Sequence, residues 1–250
     1  MKQIDLTGKT AIVTGAGQGI GLATAQGLYE AGANLVINYF DDPEGVNKTL
    51  AENAAAELGE RAIALAADVR NSDQLKAMVA GAVEKFGGLD ILVNNAGILR
   101  DRSFKKMSDQ EWHDVIDTNL TGVYNSCKAA IECLNDGGAI VNVSSLAAVM
   151  GFFGQANYAS AKAGVMTLTK VLSKELARKN IRVNAIAPGV VNTEMGMSIP
   201  EENRKVMLTN IPLGRFAEPS EISDVVLFLC SDMSSYVTGQ TIHINGGWWA

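Results

Sequence analysis

Short apolar segments alternate with longer stretches along the whole chain, and this alternation is the strongest constraint on the fold. Seven segments have the length and composition of buried strands: TAIV at 10–13, NLVINY at 34–39, AIALAA at 62–67, LDILVN at 89–94, AIVNVS at 139–144, IRVNAIA at 181–187 and TIHIN at 241–245. The stretches between them can hold crossover helices, for example residues 75–86 and 110–134. This pattern predicts an α/β fold with a doubly wound, parallel, seven-stranded sheet and helices on both faces.

The alternation also indicates how the chain is organised. No low-complexity linker and no repeat of fixed period divides it, and its 47% apolar content is ample for a core, so we expect one domain over residues 1–250. Prolines and glycines interrupt the pattern over residues 188–219. That segment is too short to be a domain, and we interpret it as an insert that covers the substrate. Its Met195, Met197 and Met207 face an apolar ligand or pack internally.

The charge balance excludes several classes of partner. The formal net charge is -6 at pH 7 and the isoelectric point is about 5.0, which disfavours binding to nucleic acid or to an anionic membrane. Basic residues cluster only at residues 100–106. Because no apolar run approaches the ~20 residues of a membrane span and the first residues do not resemble a signal peptide, we expect a cytoplasmic protein.

Cysteine and histidine usage gives no indication of a disulfide framework or a metal site. The three cysteines form no C-x-x-C pair, and the two histidines, His113 and His243, lie far apart in the sequence. We therefore expect no metal, and we expect Cys127, Cys133 and Cys230 to be reduced thiols of the core.

A glycine-rich turn follows the first predicted strand. In TGAGQGIG, residues 14–21, glycines at positions 15, 19 and 21 permit a tight turn and close approach of the backbone to a pyrophosphate. The N-terminus of the following helix would favour the negative charge. The position of the turn, directly after the first strand, indicates a dinucleotide site.

Polar residues follow later strands at the same edge of the predicted sheet. Asp68 follows the third strand, the NNAG segment at 94–97 follows the fourth, and Ser145 follows the fifth. In a helix, Tyr158 and Lys162 would lie on one face because they are four residues apart. Each feature has an ordinary explanation, such as a helix cap, a turn or a pair of helix neighbours. Together they coincide with the edge where open α/β sheets bind ligands.

With these motifs in place, the chain resembles the short-chain dehydrogenase/reductase family along its whole length. The resemblance rests on TGAGQGIG, the DV pair at 68, NNAG, TNLTG around Asn119, the Ser145, Tyr158 and Lys162 set, PG at 188, and the tail segments TGQ and NGG. It implies a Rossmann-type fold, a nicotinamide coenzyme and reversible interconversion of a ketone and a secondary alcohol.

The resemblance also implies residue roles. Tyr158 is the acid/base, Ser145 orients the carbonyl, Lys162 binds the nicotinamide ribose and tunes the phenol, and Asn119 supports a water-mediated proton path. The implied coenzyme-binding residues are Gly15, Gln18, Gly19, Ile20, Gly21, Tyr39, Asp68, Val69, Asn95, Ala96, Gly97, Tyr158, Lys162, Pro188, Val191 and Thr193.

The choice between NAD(H) and NADP(H) depends on the end of the second strand. An acid there binds a ribose 2′-hydroxyl, whereas a nearby cation pairs with a 2′-phosphate. Tyr39 occupies the position of the acid, and neither Gln18 nor Phe40 is basic. Asp41 and Asp42 would repel a phosphate if they faced it, so we favour NAD(H). Arg61 or Lys48 would reverse this preference by folding towards the site.

Substrate class rests on the resemblance. The chain is most similar to 3-oxoacyl-(acyl-carrier-protein) reductases and 3-hydroxyacyl-CoA dehydrogenases. Asp136 stands where a cation would favour an acidic carrier protein, although Arg178 and Lys179 lie near a second docking position. The basic residues at 100–106 bind a coenzyme A phosphate or are simply solvated, and Phe152 and Phe153 suit an apolar substrate.

Two other functions remain open. One is a dehydrogenase of a small or cyclic secondary alcohol or of a sugar. The other is a non-catalytic dinucleotide sensor, which the complete catalytic set disfavours. The resemblance also implies a homotetramer, with the helices around 110–134 and 155–179 as contact faces. We expect Trp248 and Trp249 to be buried at a subunit contact, because two exposed indoles would form a costly apolar patch.

Overall fold

Seven parallel strands form one sheet at the centre of the molecule. The structure is a computed structural model that describes residues 4–249, so the outermost residues of the expected 1–250 domain lie outside it. The order across the sheet is β3-β2-β1-β4-β5-β6-β7. Its strands are β1 (Thr10–Val13), β2 (Asn34–Tyr39), β3 (Ala62–Ala66), β4 (Leu89–Asn94), β5 (Leu134–Val143), β6 (Arg182–Pro188) and β7 (Thr241–Ile244). All seven predicted strands are confirmed, and the order reverses between β1 and β4.

Helices cover both faces of the sheet, as predicted. Buried side chains of α1 (Gly19–Glu30), α2 (Val46–Leu58) and α10 (Pro219–Cys230) pack against one face. Those of α3 (Ser72–Phe86), α5 (Gly122–Ile131) and α7 (Ala156–Glu175) pack against the other. The remaining helices are α4 (Asp109–Ile116), α6 (Ala147–Met150), α8 (Glu194–Met197) and α9 (Glu201–Thr209). Because successive strand residues point to opposite faces, one apolar run supplies both cores.

The predicted helix over 110–134 is interrupted. It consists of α4, a π-helical turn at Asp117–Thr121 and α5, which ends at Ile131. π-Helical turns occur mostly as short irregularities within longer helices, frequently at functional sites. The chain then enters β5 at Leu134, five residues earlier than predicted, because residues 135–138 form an irregularity in the pairing of β5 with β4.

A row of buried polar side chains ties α7 to the middle of the sheet. The Asn94 amide on β4 donates to Asn142 Oδ1 on β5 at 2.8 Å, and the Asn142 amide donates to Thr169 Oγ1 on α7 at 2.9 Å. All three side chains are buried. Hydrogen bonds of this kind, surrounded by apolar packing, restrict the positions that a helix can take on a sheet.

The segment between β6 and α10 carries α8 and α9 over the carboxyl end of the sheet. An isolated parallel bridge between Val191 and Ala217 closes its base. Thr193 caps α8, because its hydroxyl accepts a hydrogen bond from the Gly196 amide. Within residues 4–249, none of the helices combines the length and the apolar character that crossing a bilayer requires.

Candidate active site

A cleft of about 570 Å³ runs along the carboxyl ends of the strands. The loops after β1 to β6 and the C-terminal tail line it. The predicted residues among its walls are Gly15, Gln18, Gly19, Ile20, Tyr39, Asp68, Val69, Asn95, Ala96, Gly97, Ser145, Tyr158, Lys162, Pro188, Val191 and Thr193. Gly21 and Asn119 are not in the lining. The cleft therefore brings together predicted residues that lie up to 178 positions apart, from Gly15 to Thr193.

The glycine-rich turn at the start of α1 is shaped to receive a phosphate group. Gly15 and Gly19 have positive φ values of 61° and 58°. A Cβ on Gly21 would lie 2.5 Å from both Asn95 Nδ2 and Gly15 O, so only glycine fits beneath the turn. The Asn95 amide donates to the Thr14 and Gly15 carbonyl oxygens. Gln18 makes no side-chain cap, which leaves the first amides of α1 free of a side-chain acceptor.

The catalytic set predicted from sequence converges on one part of the cleft. Ser145 follows β5, and Tyr158 and Lys162 occupy successive turns of α7. The Lys162 ammonium donates to the Val143 carbonyl oxygen at 2.7 Å and lies 5.7 Å from the centre of the Tyr158 ring. The Ser144 hydroxyl donates to the Lys162 carbonyl oxygen at 2.8 Å, which joins the end of β5 to α7.

Burial shifts the pKa values of both titratable groups in this set. Burial raises the pKa of the Tyr158 phenol, and interaction with the Ser145 hydroxyl partly offsets this effect. Burial also lowers the pKa of Lys162 to about 8. The phenol therefore stays protonated at neutral pH, and the pKa of Lys162 lies closer to neutral pH than that of an exposed lysine.

Asn119 lies behind the cleft, within the π-helical turn. Its side chain is fully buried. Its oxygen accepts from the Ile98 amide at 2.8 Å, and its nitrogen donates to the Ile98 carbonyl at 2.9 Å. A Cβ on Gly97 would lie 3.2 Å from Asn119 Oδ1 and 3.5 Å from Lys162 Nζ. Asn119 therefore fixes the segment that forms the wall beside Lys162.

The other end of the cleft is formed by the loops after β2 and β3. Asn38, Tyr39 and Phe40 line it, with Asp68 and Arg70 opposite. The Arg70 guanidinium donates to both carboxylate oxygens of Asp68, at 3.0 and 2.7 Å. Together with the glycine turn, this cavity suits an adenosine joined to a pyrophosphate.

The charged side chains on which the sequence analysis based its choice of coenzyme do not line the cleft. The Asp42 carboxylate caps α2 by accepting from the Val46 and Asn47 amides. Arg61 donates to the Ala33 and Tyr29 carbonyl oxygens, Lys48 pairs with Glu52, and Asp41 is not part of the cleft wall. The expectation that Asp41 and Asp42 repel a phosphate therefore loses its geometric basis.

Comparisons with known proteins agree with this geometry. A family model described as "Enoyl-(Acyl carrier protein) reductase" matches residues 15–249. The chain belongs to the short-chain dehydrogenase/reductase family. It is 47% identical to the 3-oxoacyl-[acyl-carrier-protein] reductase FabG of Staphylococcus aureus over 96% of this chain and 97% of that protein. It is 44% identical to the Thermotoga maritima protein of the same name, over 97% and 98% of the two chains.

Solved structures show the same family fold. The crystal structure of a short-chain dehydrogenase/reductase from Brucella melitensis, described as SDR:Glucose/ribitol dehydrogenase, has a TM-score of 0.94 and 39% identity and covers all of both chains. A dehydrogenase/reductase from Sinorhizobium meliloti 1021 has a TM-score of 0.91 and 32% identity, covering 99% of this chain and 97% of that one. As a member of this family, the chain is an oxidoreductase that acts on CH–OH groups and uses a nicotinamide dinucleotide.

Two polar residues beside Tyr158 were not predicted. Asn157 is fully buried, and its amide donates to the Arg100 and Glu111 carbonyl oxygens, which fixes the start of α7. Gln155 lines the cleft, and its buried oxygen has no hydrogen-bond partner within the described chain. The only sequence signal for both was their position just before Tyr158. Buried amides are otherwise indistinguishable from turn residues in a sequence.

Several sequence expectations about apolar residues and thiols need correction. Trp248 lines the cleft and packs against Phe152 with ring centres 5.3 Å apart, and its place at a subunit contact stays a prediction. Phe153 is 91% exposed and lies outside the cleft. Cys133 is exposed, whereas the other two thiols are buried. Among residues 4–249, no three His, Cys, Asp or Glu side chains are grouped to hold a metal ion.

Proposed function

We propose that the protein reduces the 3-oxo group of an acyl thioester, carried by an acyl carrier protein or by coenzyme A, to the 3-hydroxy group. The observation that carries the proposal is the meeting of Ser145, Tyr158 and Lys162 in one cleft with the glycine turn. The names of the relatives in Staphylococcus aureus and Thermotoga maritima support the substrate class.

The proton chemistry follows from the shifted pKa values. The reduced nicotinamide, when bound, supplies the hydride that the carbonyl carbon receives. Ser145 and Tyr158 would bind the carbonyl oxygen, and Tyr158 transfers its phenolic proton to that oxygen. Burial raises the pKa of the Tyr158 phenol, so the side chain carries the proton that the carbonyl oxygen receives during reduction. The resulting phenolate is stabilised by the Lys162 ammonium, which can return a proton to it.

The glycine turn, Asp68, Val69, Asn95 and Thr193 would hold the coenzyme. We propose NAD(H) as the preferred form. Arg70 is the only cation that lines the adenosine end of the cleft within residues 4–249, and its guanidinium is already paired with Asp68. A 2′-phosphate would therefore compete with the Asp68 carboxylate for the Arg70 guanidinium.

The charged residues near the cleft bear on the carrier of the acyl group. Arg100 lines the cleft, and Lys105 and Lys106 are exposed on the short 3₁₀ turn Phe104–Lys106 beside it. These cations suit the phosphates of coenzyme A or of a phosphopantetheine arm. Asp136, exposed in the irregular part of β5, opposes the docking of an acidic carrier protein at that place.

A dehydrogenase of sugars or small alcohols is the second candidate, favoured by the likeness to the glucose/ribitol dehydrogenase structure from Brucella melitensis. Phe152, Met195, Met207 and Trp248 line the cleft, and they suit an apolar substrate better than a polyol.

For the assembled state we propose a homotetramer. Tyr124 on α5 and Val171 on α7 are both nearly half exposed, which leaves apolar surface on these helices for subunit contacts. Light scattering after size exclusion measures the mass of the assembly and hence the number of subunits.

The deciding experiment compares Tyr158→Phe and Tyr124→Phe with the wild type, using acetoacetyl-CoA and either NADH or NADPH. We expect Tyr158→Phe to retain below about 1% of the wild-type kcat, with coenzyme affinity within about threefold, because only the transferable proton is lost. Tyr124→Phe controls for the loss of a phenolic hydroxyl at the surface. Retained turnover in Tyr158→Phe, or sugar oxidation without thioester reduction by the wild type, would reject the proposal.

A further inference from the structure

We propose that Trp248 and Phe152 form an aromatic wall that binds the apolar chain of the acyl group and selects chains longer than four carbons. This inference rests on the proposed thioester reduction and assigns the residues that set chain length. The aromatic wall lies in the cleft that holds Ser145 and Tyr158. Phe152 comes between these two residues in the chain, in the loop that joins α6 to α7.

The contact between the two rings defines the wall. Their centres are 5.3 Å apart, with an angle of 46° between the planes. Tilted aromatic pairs at this distance are stabilising beyond their buried area. Each ring also keeps some exposure towards the cleft. The rings thus stabilise one another while leaving an apolar surface that a ligand can cover.

The tail that carries Trp248 is held by a built turn. Buried Asn245 accepts from the Gly247 amide at 2.9 Å and donates to the Trp249 carbonyl oxygen at 2.9 Å. Gly246 and Gly247 have φ values of 62° and 88°, which glycine adopts without strain. Asn245 is therefore a positioning residue for the indole.

The insert contributes to the turn from the other side. The Leu213 amide donates to the Gly246 carbonyl oxygen at 3.2 Å. A Cβ on Gly246 would lie 2.7 Å from Ile211 Cγ2, and one on Gly247 would lie 3.0 Å from Pro212 Cγ. The tail and the insert consequently form one packed unit, which gives Trp248 a fixed place.

Further apolar side chains line the same cleft from the insert. They are Met195, Ile199 and Met207. Methionine adapts its shape to flexible apolar ligands. A polyol would place hydroxyl groups against these side chains and the aromatic wall without hydrogen-bond partners, whereas an acyl chain would not. The chemistry of the surface therefore favours a flexible hydrocarbon chain.

The test uses a pair of adjacent tryptophans. Trp249 packs on His243 with ring centres 4.5 Å apart and does not line the cleft, so Trp249→Ala is a matched control for Trp248→Ala. Substrates are the N-acetylcysteamine thioesters of acetoacetate and 3-oxooctanoate, assayed with NADH and NADPH. Trp248→Phe provides a conservative variant if the alanine variant unfolds.

We expect Trp248→Ala to lower kcat/KM for the eight-carbon substrate about tenfold and for the four-carbon substrate less than twofold. Trp249→Ala should change neither value, and Trp248→Phe should keep most of the preference. Equal losses on both substrates, or equal effects of the two alanine variants, would overturn the assignment. The assignment would also be overturned if the wild type preferred a cyclic ketone to the eight-carbon thioester and Trp248→Ala lost that preference. Absence of turnover with either thioester would reject the proposed function itself, and this inference with it.

Discussion

The Lys162 ammonium nitrogen lies 5.7 Å from the centre of the Tyr158 ring and donates its hydrogen bond to the Val143 carbonyl oxygen. The lysine is 97% buried, and no carboxylate among residues 4–249 offsets the cost of its charge, so burial lowers its pKa to about 8. A charged group in this setting is useful to a reaction and costly to the fold.

Replacement of Lys162 by methionine should therefore stabilise the protein and abolish turnover. Between about pH 8 and 10.5, the unfolded lysine keeps a proton that the folded one has lost. The stability of the wild type consequently gains from this group as the pH rises through that window. The advantage of Lys162→Met in free energy of unfolding should shrink by up to about 3 kcal/mol across it. Urea unfolding at several pH values measures this difference.

The control for this prediction is Lys170→Met, which removes an exposed lysine from the same helix. The difference in free energy of unfolding between Lys170→Met and the wild type should stay constant over the same pH range. A stability advantage of Lys162→Met that is constant with pH, or absent throughout, would show that the buried charge is not the cause.

Replacement of Asn119 by alanine should destabilise the fold and reduce turnover together. Both backbone groups of Ile98 would lose their partner in a partly buried place, at a cost of about 1 to 3 kcal/mol. Asn119→Asp restores only the acceptor and should fall between alanine and the wild type. Thermal unfolding and kcat report the two effects, and full kcat in a destabilised alanine variant would contradict the role of Asn119 beside Lys162.

Replacement of Gly21 by alanine should weaken coenzyme binding at least tenfold. The added Cβ would displace the Asn95 amide and the Gly15 carbonyl, which define the phosphate turn. Gly81→Ala is the control, because its Cβ would lie 3.3 Å from Leu65 Cδ1 in the middle of α3, where alanine is the better helix former. NADH fluorescence titration gives the affinities. Equal NADH affinities in the two variants would show that the glycine turn does not bind the coenzyme.

Replacement of Arg70 by alanine tests coenzyme preference. Because the guanidinium is held by Asp68, we expect affinity for NADPH to change less than about twofold and NADH to remain preferred. Lys48→Ala, outside the cleft, is the control. A loss of more than tenfold in NADPH affinity alone would mean that Arg70 leaves Asp68 to bind the 2′-phosphate, and the preference for NAD(H) would be wrong.

The sheet was predictable because each strand is a short apolar run bounded by polar or small residues. The helix predicted over 110–134 is present from Asp109 to Ile131, but the π-helical turn within it was not predicted. Only the tertiary contact of Asn119 with Ile98 reveals that turn.

The lining of the cleft was predictable where a residue type is required next to a strand end, as at Gly15 and Ser145. The packing of Trp248 on Phe152 was not predictable, because the two residues lie 96 positions apart and nothing in the local sequence relates them. The directions of Asp42 and Arg61 were equally inaccessible, since a charged side chain can fold towards or away from a cleft.

The buried row from Asn94 through Asn142 to Thr169 fixes the position of α7 along the sheet. Thr169 follows Tyr158 by eleven residues, about 16 Å along the helix axis. A slip of α7 by one turn would break that hydrogen bond and carry the phenol away from Ser145. The distance between the Ser145 and Tyr158 hydroxyl oxygens therefore depends on a hydrogen bond deep in the sheet. We expect a substitution at Thr169, although remote from the cleft, to slow proton transfer.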